Sequence, residues 1–532
     1  MKRTRSLFVL LAILFACSAA IAGQNPLLMK WDTPFGAPPF DRIKVEHFMP
    51  AYEAAMEKHI AEVETVVNNS DVPNFENTIE ALERSGALLT RVSAVFRGLN
   101  SANTSDELQA VAKEVSPLIS KHFDDIAMND KLFERVKDVF GQRDKLDLTP
   151  EQSMLLEKTY KGFVRNGALL DEAGKTELRE INKELSLLSL TFAENILKET
   201  NKFELVIESK DDLAGLPDAV ISSAAEMATQ RDHEGKWVFT TQKPSMLPFI
   251  QYSEKRELRR KIFKAYINRG NNGDELDNKE IVSKMTSLRL RRVNLLGYQT
   301  HAHYILDERM AKEPKNVYDL LWKIWKPGLA RAKNEVKELQ AMIDEEGGGF
   351  ALMPWDWWYY AEKVKKAKYD LDEEMLRPYF ELENVRDGVF ELANRLWGIT
   401  FEEIKDIPVY HEDVRVFEVK EEDGTHVGLI YTDYFPRASK RGGAWCGAYR
   451  DQSIVDGKNI RPIMSNCGNF SKPTGDMPAL LSYDEVTTLF HEFGHGMHGL
   501  LSNSSYERLS GTAVAWDFVE LPAQIMENWC AE

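Results

Sequence analysis

Two histidines four residues apart, His491 and His495, bracket Glu492 in the run Phe490-His491-Glu492-Phe493-Gly494-His495. On a helix, at ~100° and ~1.5 Å per residue, their rings stand about 40° and about 6 Å apart, so both can reach one metal ion. Glu492 lies about 100° from His491 and about 60° from His495 on the other side. It borders the metal face without occupying a ligand position, which suits a general base acting on water. With eleven histidines in 532 residues, chance supplies this pattern only about 0.02 times per chain. Gly494 and Gly496 sit inside the same helical run, where each costs about 1 kcal/mol relative to Ala. Glycines there imply that something approaches the helix closely. His498, three residues past His495, is read as a neighbour of the site and not as a ligand.

A catalytic zinc site uses three protein ligands and leaves a position for water. The third is expected from the segment Trp516 to Glu527, which offers Glu520, Gln524 and Glu527 at helical spacing on one side. Pro522 means that a helix starts or kinks near Glu520. Spacing alone leaves Asp517, Glu520 and Glu527 as alternatives, with Gln524 placed to orient a ligand from behind.

The elements that must hold these groups are mostly helical. Leu108, Val111, Val115 and Leu118 recur at helical spacing, as do Leu178, Ile181, Leu185, Leu188 and Phe192 on a longer helix; both stripes read as plain packing. Asn74 before Phe75-Glu76 reads as a helix start. Phe203, Leu205 and Ile207 alternate with polar residues, and Trp237 to Thr240 is a second candidate strand. The basic cluster Lys255, Arg256, Arg259, Arg260, Lys261 and Lys264 reads as a solvated helix face. Gly347-Gly348-Gly349 breaks the helical region, and the aromatic run Trp355 to Tyr360 reads as core. Val414 to Lys420 and His426 to Phe435, joined through Asp423-Gly424, predict a hairpin. The architecture expected is mainly α, with a small antiparallel β element beside the metal-binding helix.

Composition narrows the remaining possibilities. The formal charge is −17, and without Lys2, Arg3 and Arg5 of the first 22 residues it is −20. Such a surface repels phosphate backbones, so nucleic acid is excluded as an expected partner. Basic Met1 to Arg5, apolar Leu7 to Phe15 and Ala20-Ile21-Ala22 form a signal-peptide pattern with cleavage before Gly23. A lipid anchor at Cys17 is the less favoured alternative. No later run is long enough for a transmembrane helix. The chain is therefore expected in the periplasm or cell envelope, as a monomer. Cys446, Cys467 and Cys530 form no disulfide framework and read as buried small residues.

The segments Phe490 to His498, Leu509-Ser510-Gly511-Thr512 and Asp517-Phe518-Val519-Glu520-Leu521-Pro522 resemble the zinc oligopeptidase family of thimet oligopeptidase, most of all its bacterial peptidyl-dipeptidase branch (Dcp type). Weaker likeness runs through Tyr434 to Cys446 and Phe75 to Thr78. The resemblance implies Glu520 as the third ligand of a single Zn2+ and Glu492 as the catalytic residue. It implies a zincin-like peptidase of two helical lobes flanking a deep channel, and hydrolysis of short peptides with release of C-terminal dipeptides. The regions expected are a signal peptide (1–22), an N-terminal helical region (23–250) and a metallopeptidase catalytic region (251–532). Two other readings stand beside this one: an endo-acting oligopeptidase of the same family, and a zinc-binding but inactive envelope protein. The last arises because the family carries a downstream segment rich in Tyr and His, whereas this chain stops at Glu532, twelve residues past Glu520. A fragment or natural truncation is therefore expected, with carboxylate and oxyanion recognition assigned to the segment beyond. Substrate contacts are otherwise unassigned, except that the hairpin and Gly442-Gly443-Ala444 are placed to pair with a peptide backbone.

Overall fold

The computed structural model describes residues 25–475 and 477–531. The signal-peptide pattern and Cys17 lie outside the described residues. Helices at Phe48–Val67, Ala87–Ala102, Asp106–Ala127, Asp130–Gly141, Pro150–Arg165 and Glu172–Lys202 fill the first part of the chain. Four of them start on a side-chain cap: Ser105, Asn129, Thr149 and Asp171 accept from the backbone N–H of Leu108, Leu132, Gln152 and Gly174. Each such cap contributes about 1 kcal/mol. Asn74 caps the short helix Phe75–Glu80 by accepting from the Asn77 N–H, as the sequence implies.

Two helices divide differently from the expectation. On Glu172–Lys202, Leu178 and Ile181 are buried, whereas Phe192 is 37% exposed and lines a cavity. On the helix Arg256–Ile267 the basic cluster is not wholly solvated. Arg259 is 1% exposed, and both Arg256 and Arg259 donate to the fully buried Asp356. A buried carboxylate needs paired, hydrogen-bonded cations, and periodicity could not reveal that it lay 97 residues away in sequence. The aromatic run packs against the helix Pro314–Glu345 through Trp357, Tyr359 and Tyr360, with only Tyr360 fully inside.

Strands β1 (Leu205–Ile207) and β2 (Trp237–Phe239) pair antiparallel. The main sheet contains β3 (Thr400–Glu403), β4 (Arg415–Lys420), β5 (His426–Asp433), β6 (Trp445–Arg450) and β9 (Ile463–Cys467) in the order β3-β4-β5-β9-β6. A small hairpin, β7 (Ser453–Val455) and β8 (Lys458–Ile460), interrupts the return from β6. The expected hairpin is β4–β5, and its loop turns at Gly424, φ 84°. The sheet is not antiparallel throughout: β9 returns between β5 and β6 and runs parallel to β5. This leaves β6 at an edge.

Side chains alternate across a strand, and here both faces are covered. Val416, Leu429, Tyr431 and Ile463 pack on Phe48, Tyr52 and Phe96 from the N-terminal helices. Phe417, Val419, Ile430 and Met464 pack instead on Leu489, Phe493 and Met497 of the helix Tyr483–Leu500. Each fully buried Leu or Phe there contributes about 1.5–3 kcal/mol. The helix bearing His491 is thus fixed against the sheet by its apolar side.

Candidate metal centre

The Tyr483–Leu500 helix begins with a capping box, in which Ser482 and Glu485 each satisfy the other's backbone N–H. Its apolar face holds the sheet, and the opposite turn presents His491 and His495, whose ring centroids are 4.9 Å apart. A second helix, Glu520–Glu527, crosses it. The crossing is close because Gly494 has no side chain: a Cβ there would stand 2.7 Å from the Ala523 Cα. Gly496 meets Ile430 of β5, where a Cβ would lie 3.3 Å from Cδ1.

That crossing brings Glu520 to the histidines. Its Oε2 is 3.1 Å from His491 Nε2 and 3.2 Å from His495 Nε2. One ligand atom from each of the three lies within 4.8 Å of the others. Two imidazole nitrogens and a carboxylate oxygen are the donor set of a catalytic zinc site. His491 Nδ1 meets Glu527 Oε1 at 2.6 Å, which orients the ring with Nε2 toward Glu520. His495 Nδ1 has no hydrogen-bond partner among the described residues.

Glu492 stands outside the cluster of three and is 7% exposed. Its Oε2 is buried without a partner. Burial pushes its carboxyl up to about 7, the Glu520 charge adds to the rise, and His491 and Arg441 oppose it. Burial also lowers His495 and His498. The donor set and the orphaned carboxylate oxygen beside it together fit a divalent cation with a base next to it.

The sequence alternatives separate cleanly. Asp517 accepts from the Met310 and Ala311 backbone N–H groups at 2.9 Å each and belongs to another corner of the fold. Glu527 supports His491 and stands outside the cluster of three. His498 also lies outside it. Gln524, expected to orient a ligand, is exposed and makes no hydrogen bond among the described residues; helix phase turns it outward while Glu527 takes that position. Cys467 is buried, Cys446 and Cys530 are half-buried, and none is disulfide-bonded. Burial raises all three thiols, Cys467 to about 12 and Cys530 to about 11.

Sequence reasoning missed the support behind β6. Asp433, fully buried, takes Lys440 at 2.9 Å, both ends of the Arg437 guanidinium, and the Tyr410 hydroxyl at 2.7 Å. This network fixes the loop from Tyr434 to Ala444, which enters the edge strand. An Asp followed by basic residues four and seven positions later was the available signal.

The family model for Peptidase family M3 matches residues 249–532, more than half of the chain. The chain belongs to peptidase family M3. It is 40% identical over 507 residues to dipeptidyl carboxypeptidase of Escherichia coli (strain K12), covering 95% of this chain and 74% of that protein. It is 34% identical over 514 residues to oligopeptidase A of Salmonella typhimurium, covering 96% and 75%. A thimet-like oligopeptidase of Dictyostelium discoideum is 28% identical over 505 residues, covering 91% and 73%. This chain therefore spans about three quarters of each of these relatives. As a family M3 member it is a peptidase, and its fold is the mainly helical one expected. No described helix is long and apolar enough to cross a membrane.

Proposed function

We propose that this peptidase is zinc-dependent and releases dipeptides from the C-terminus of short peptides, with His491, His495 and Glu520 as the metal ligands and Glu492 as the base. The observation that carries the reading is the approach of one Glu520 oxygen to both imidazole Nε2 atoms beside a buried, unpartnered Glu492 carboxylate. A bound zinc ion supplies Lewis acidity, polarising a carbonyl and acidifying water. Glu492 takes the proton from water at its free Oε2 and passes it to the leaving amine. Glu527 holds His491 in one tautomer throughout. β6, at the edge of the sheet, offers unpaired backbone groups with which an extended substrate can align.

Greater identity to the dipeptidyl carboxypeptidase than to oligopeptidase A supports dipeptide release over internal cleavage. The division into an N-terminal region (23–250) and a catalytic region (251–532) is supported by the family match beginning at residue 249. The Met1 to Ala22 pattern supports export to the envelope, and we propose a monomer there. Elemental analysis tests the metal assignment: about one zinc per chain is expected, falling sharply in a His491→Ala, His495→Ala double variant. Unchanged metal content in that variant would refute it. Mass spectrometry of a digested decapeptide tests the cleavage: stepwise loss of dipeptides is expected, and internal cuts indifferent to C-terminal amidation would favour the oligopeptidase reading.

A further inference from the structure

A cavity of about 520 Å³ opens beside the first turns of the His491 helix. Its lining includes Thr488, one turn before His491, and the loop Gly442-Gly443-Ala444 that enters β6. Thr488 lies about 4.5 Å along the axis from His491, and an extended dipeptide spans roughly 7 Å. A dipeptide extending from the metal centre toward the first turns of this helix would reach this space. Phe192, Ile196 and Leu247 give the cavity an apolar wall. Its volume suits a dipeptide and is too small for a longer folded segment.

The other walls carry positive charge. Lys440 pairs with Asp433, and Arg377 with Glu374. Arg269, Arg441 and Lys243 also line the cavity and have no carboxylate partner among the described residues. Of the acids there, Glu373 leans toward Lys365 at 3.8 Å, Glu485 is taken up by Ser471 and Ser482, and Asp484 is exposed. A guanidinium has five N–H donors. Arg269 donates to the Tyr266 carbonyl at 3.0 Å and to Thr200 Oγ1 at 3.1 Å. The Arg441 guanidinium makes no hydrogen bond to a described residue and stacks on Trp445 of β6, 4.2 Å from the ring centroid.

Arg441 is also set in place by its backbone. Its N–H donates to the Ser101 carbonyl at 3.0 Å, and Asn469 Nδ2 donates to the carbonyls of Arg441 and Gly443 at 3.0 and 2.6 Å. Gly443 has φ 90°, a conformation that the turn requires and glycine supplies. The buried Asp433 network lies directly before it in the chain. A fixed, unpaired guanidinium facing a dipeptide-sized cavity is pre-organised for a carboxylate.

We propose that Arg441, together with Arg269, captures the free C-terminal carboxylate of the substrate and so sets the cut two residues from its end. The proposal rests on the peptidase reading above. An acidic side chain is the other source of a carboxylate. The apolar wall and small volume favour the chain terminus, whose own side chains would fill the remaining space.

The test uses the full zinc-loaded chain and three decapeptides: one with a free C-terminus, its C-terminal amide, and an amide ending in Asp. The free peptide is expected to be the preferred substrate. Arg441→Gln and Arg269→Gln should each raise its KM about 10- to 100-fold, as expected for loss of a charge-assisted hydrogen bond. The preference for free over amidated peptide should fall toward one. Comparing two substrates on the same variant cancels any effect of Arg441 on Glu492. Arg441→Lys should restore part of the preference, because it keeps the charge but not the fork. An unchanged preference in the Gln variants overturns the proposal, as does an Asp-ending amide that matches the free peptide. Calorimetric binding of the dipeptide Ala-Leu and of its amide to the Glu492→Gln chain gives a readout without turnover. Binding of the free form alone, lost on adding Arg441→Gln, supports the proposal; equal binding of both forms overturns it. A chain that bound the free dipeptide yet cleaved no peptide would refute the function reading and leave the carboxylate site standing.

Discussion

Gly494 and Ala523 mark the point where two helices touch backbone to backbone, a Cβ on the first falling 2.7 Å from the Cα of the second. One of those helices carries both histidines and the other carries Glu520, so this contact sets the separation of the three proposed ligands. Gly494→Ala should push the Glu520–Glu527 helix away, because the obstructing atoms are backbone and cannot rotate aside. Overpacking of this kind costs about 1–3 kcal/mol, and zinc affinity should fall with it. Gly496→Ala should be milder, since its nearest neighbour is the mobile end of Ile430 at 3.3 Å. Melting temperature and zinc affinity measured on both variants check this; equal effects would show that the crossing does not control the site.

Glu492→Gln should keep the metal and lose the reaction. The side chain is buried and stands outside the cluster of His491, His495 and Glu520 proposed to hold the metal, so removing its charge leaves that donor set intact. A drop in kcat of about 10²- to 10⁴-fold is expected for loss of a general base. Zinc content measured alongside kcat decides the matter, and loss of both together would make Glu492 structural.

The parts of the site legible in the sequence were those encoded by local periodicity. His491, Glu492 and His495 fall on one helix, where 3.6 residues per turn fixes their relation before any tertiary contact exists. Gly494 and Gly496 signalled a close approach, and the structure supplies Ala523 and Ile430 as what approaches. The β4–β5 hairpin was legible from its turn. The return of β9 beside β5 was not, because a parallel pairing is decided by which edge the whole sheet leaves open. Nor was the Arg256–Arg259–Asp356 cluster, which depends on burial of a carboxylate distant in sequence. That Glu527, and not Gln524, meets His491 Nδ1 was hidden for a similar reason. The phase of a short helix is set by where it is anchored, and the Gly494 contact anchors this one at Ala523.

Glu527 should therefore matter where Gln524 does not. Glu527→Ala removes the partner of His491 Nδ1, freeing the ring to rotate and to change tautomer. Loss of such a partner typically costs 10- to 100-fold in metal affinity. Gln524→Ala, at an exposed position without a hydrogen bond, should leave affinity unchanged. Competition titration with a chelator compares the two; a Gln524 variant weaker than the Glu527 variant would reverse the assignment.

His59 and His122 form a buried pair outside the candidate metal centre, with His122 Nε2 2.9 Å from His59 Nδ1. Burial lowers both, and the neighbouring His59 adds to the fall of His122, which drops to about 4. A histidine whose folded pKa is depressed binds fewer protons folded than unfolded, so its contribution is present above the unfolded value near 6.5 and is lost as pH falls toward 4. Asp124 nearby acts in the opposite sense, because burial raises it to about 6 and its protonation favours the folded state. Comparing the wild-type chain with His122→Gln holds Asp124 and all other carboxylates constant. The glutamine can still hydrogen-bond to His59 but takes up no proton. Melting temperature should fall between pH 6.5 and 4 in both chains, and more steeply in the wild type. Parallel profiles would show that His122 takes up its proton in the folded chain as readily as in the unfolded one.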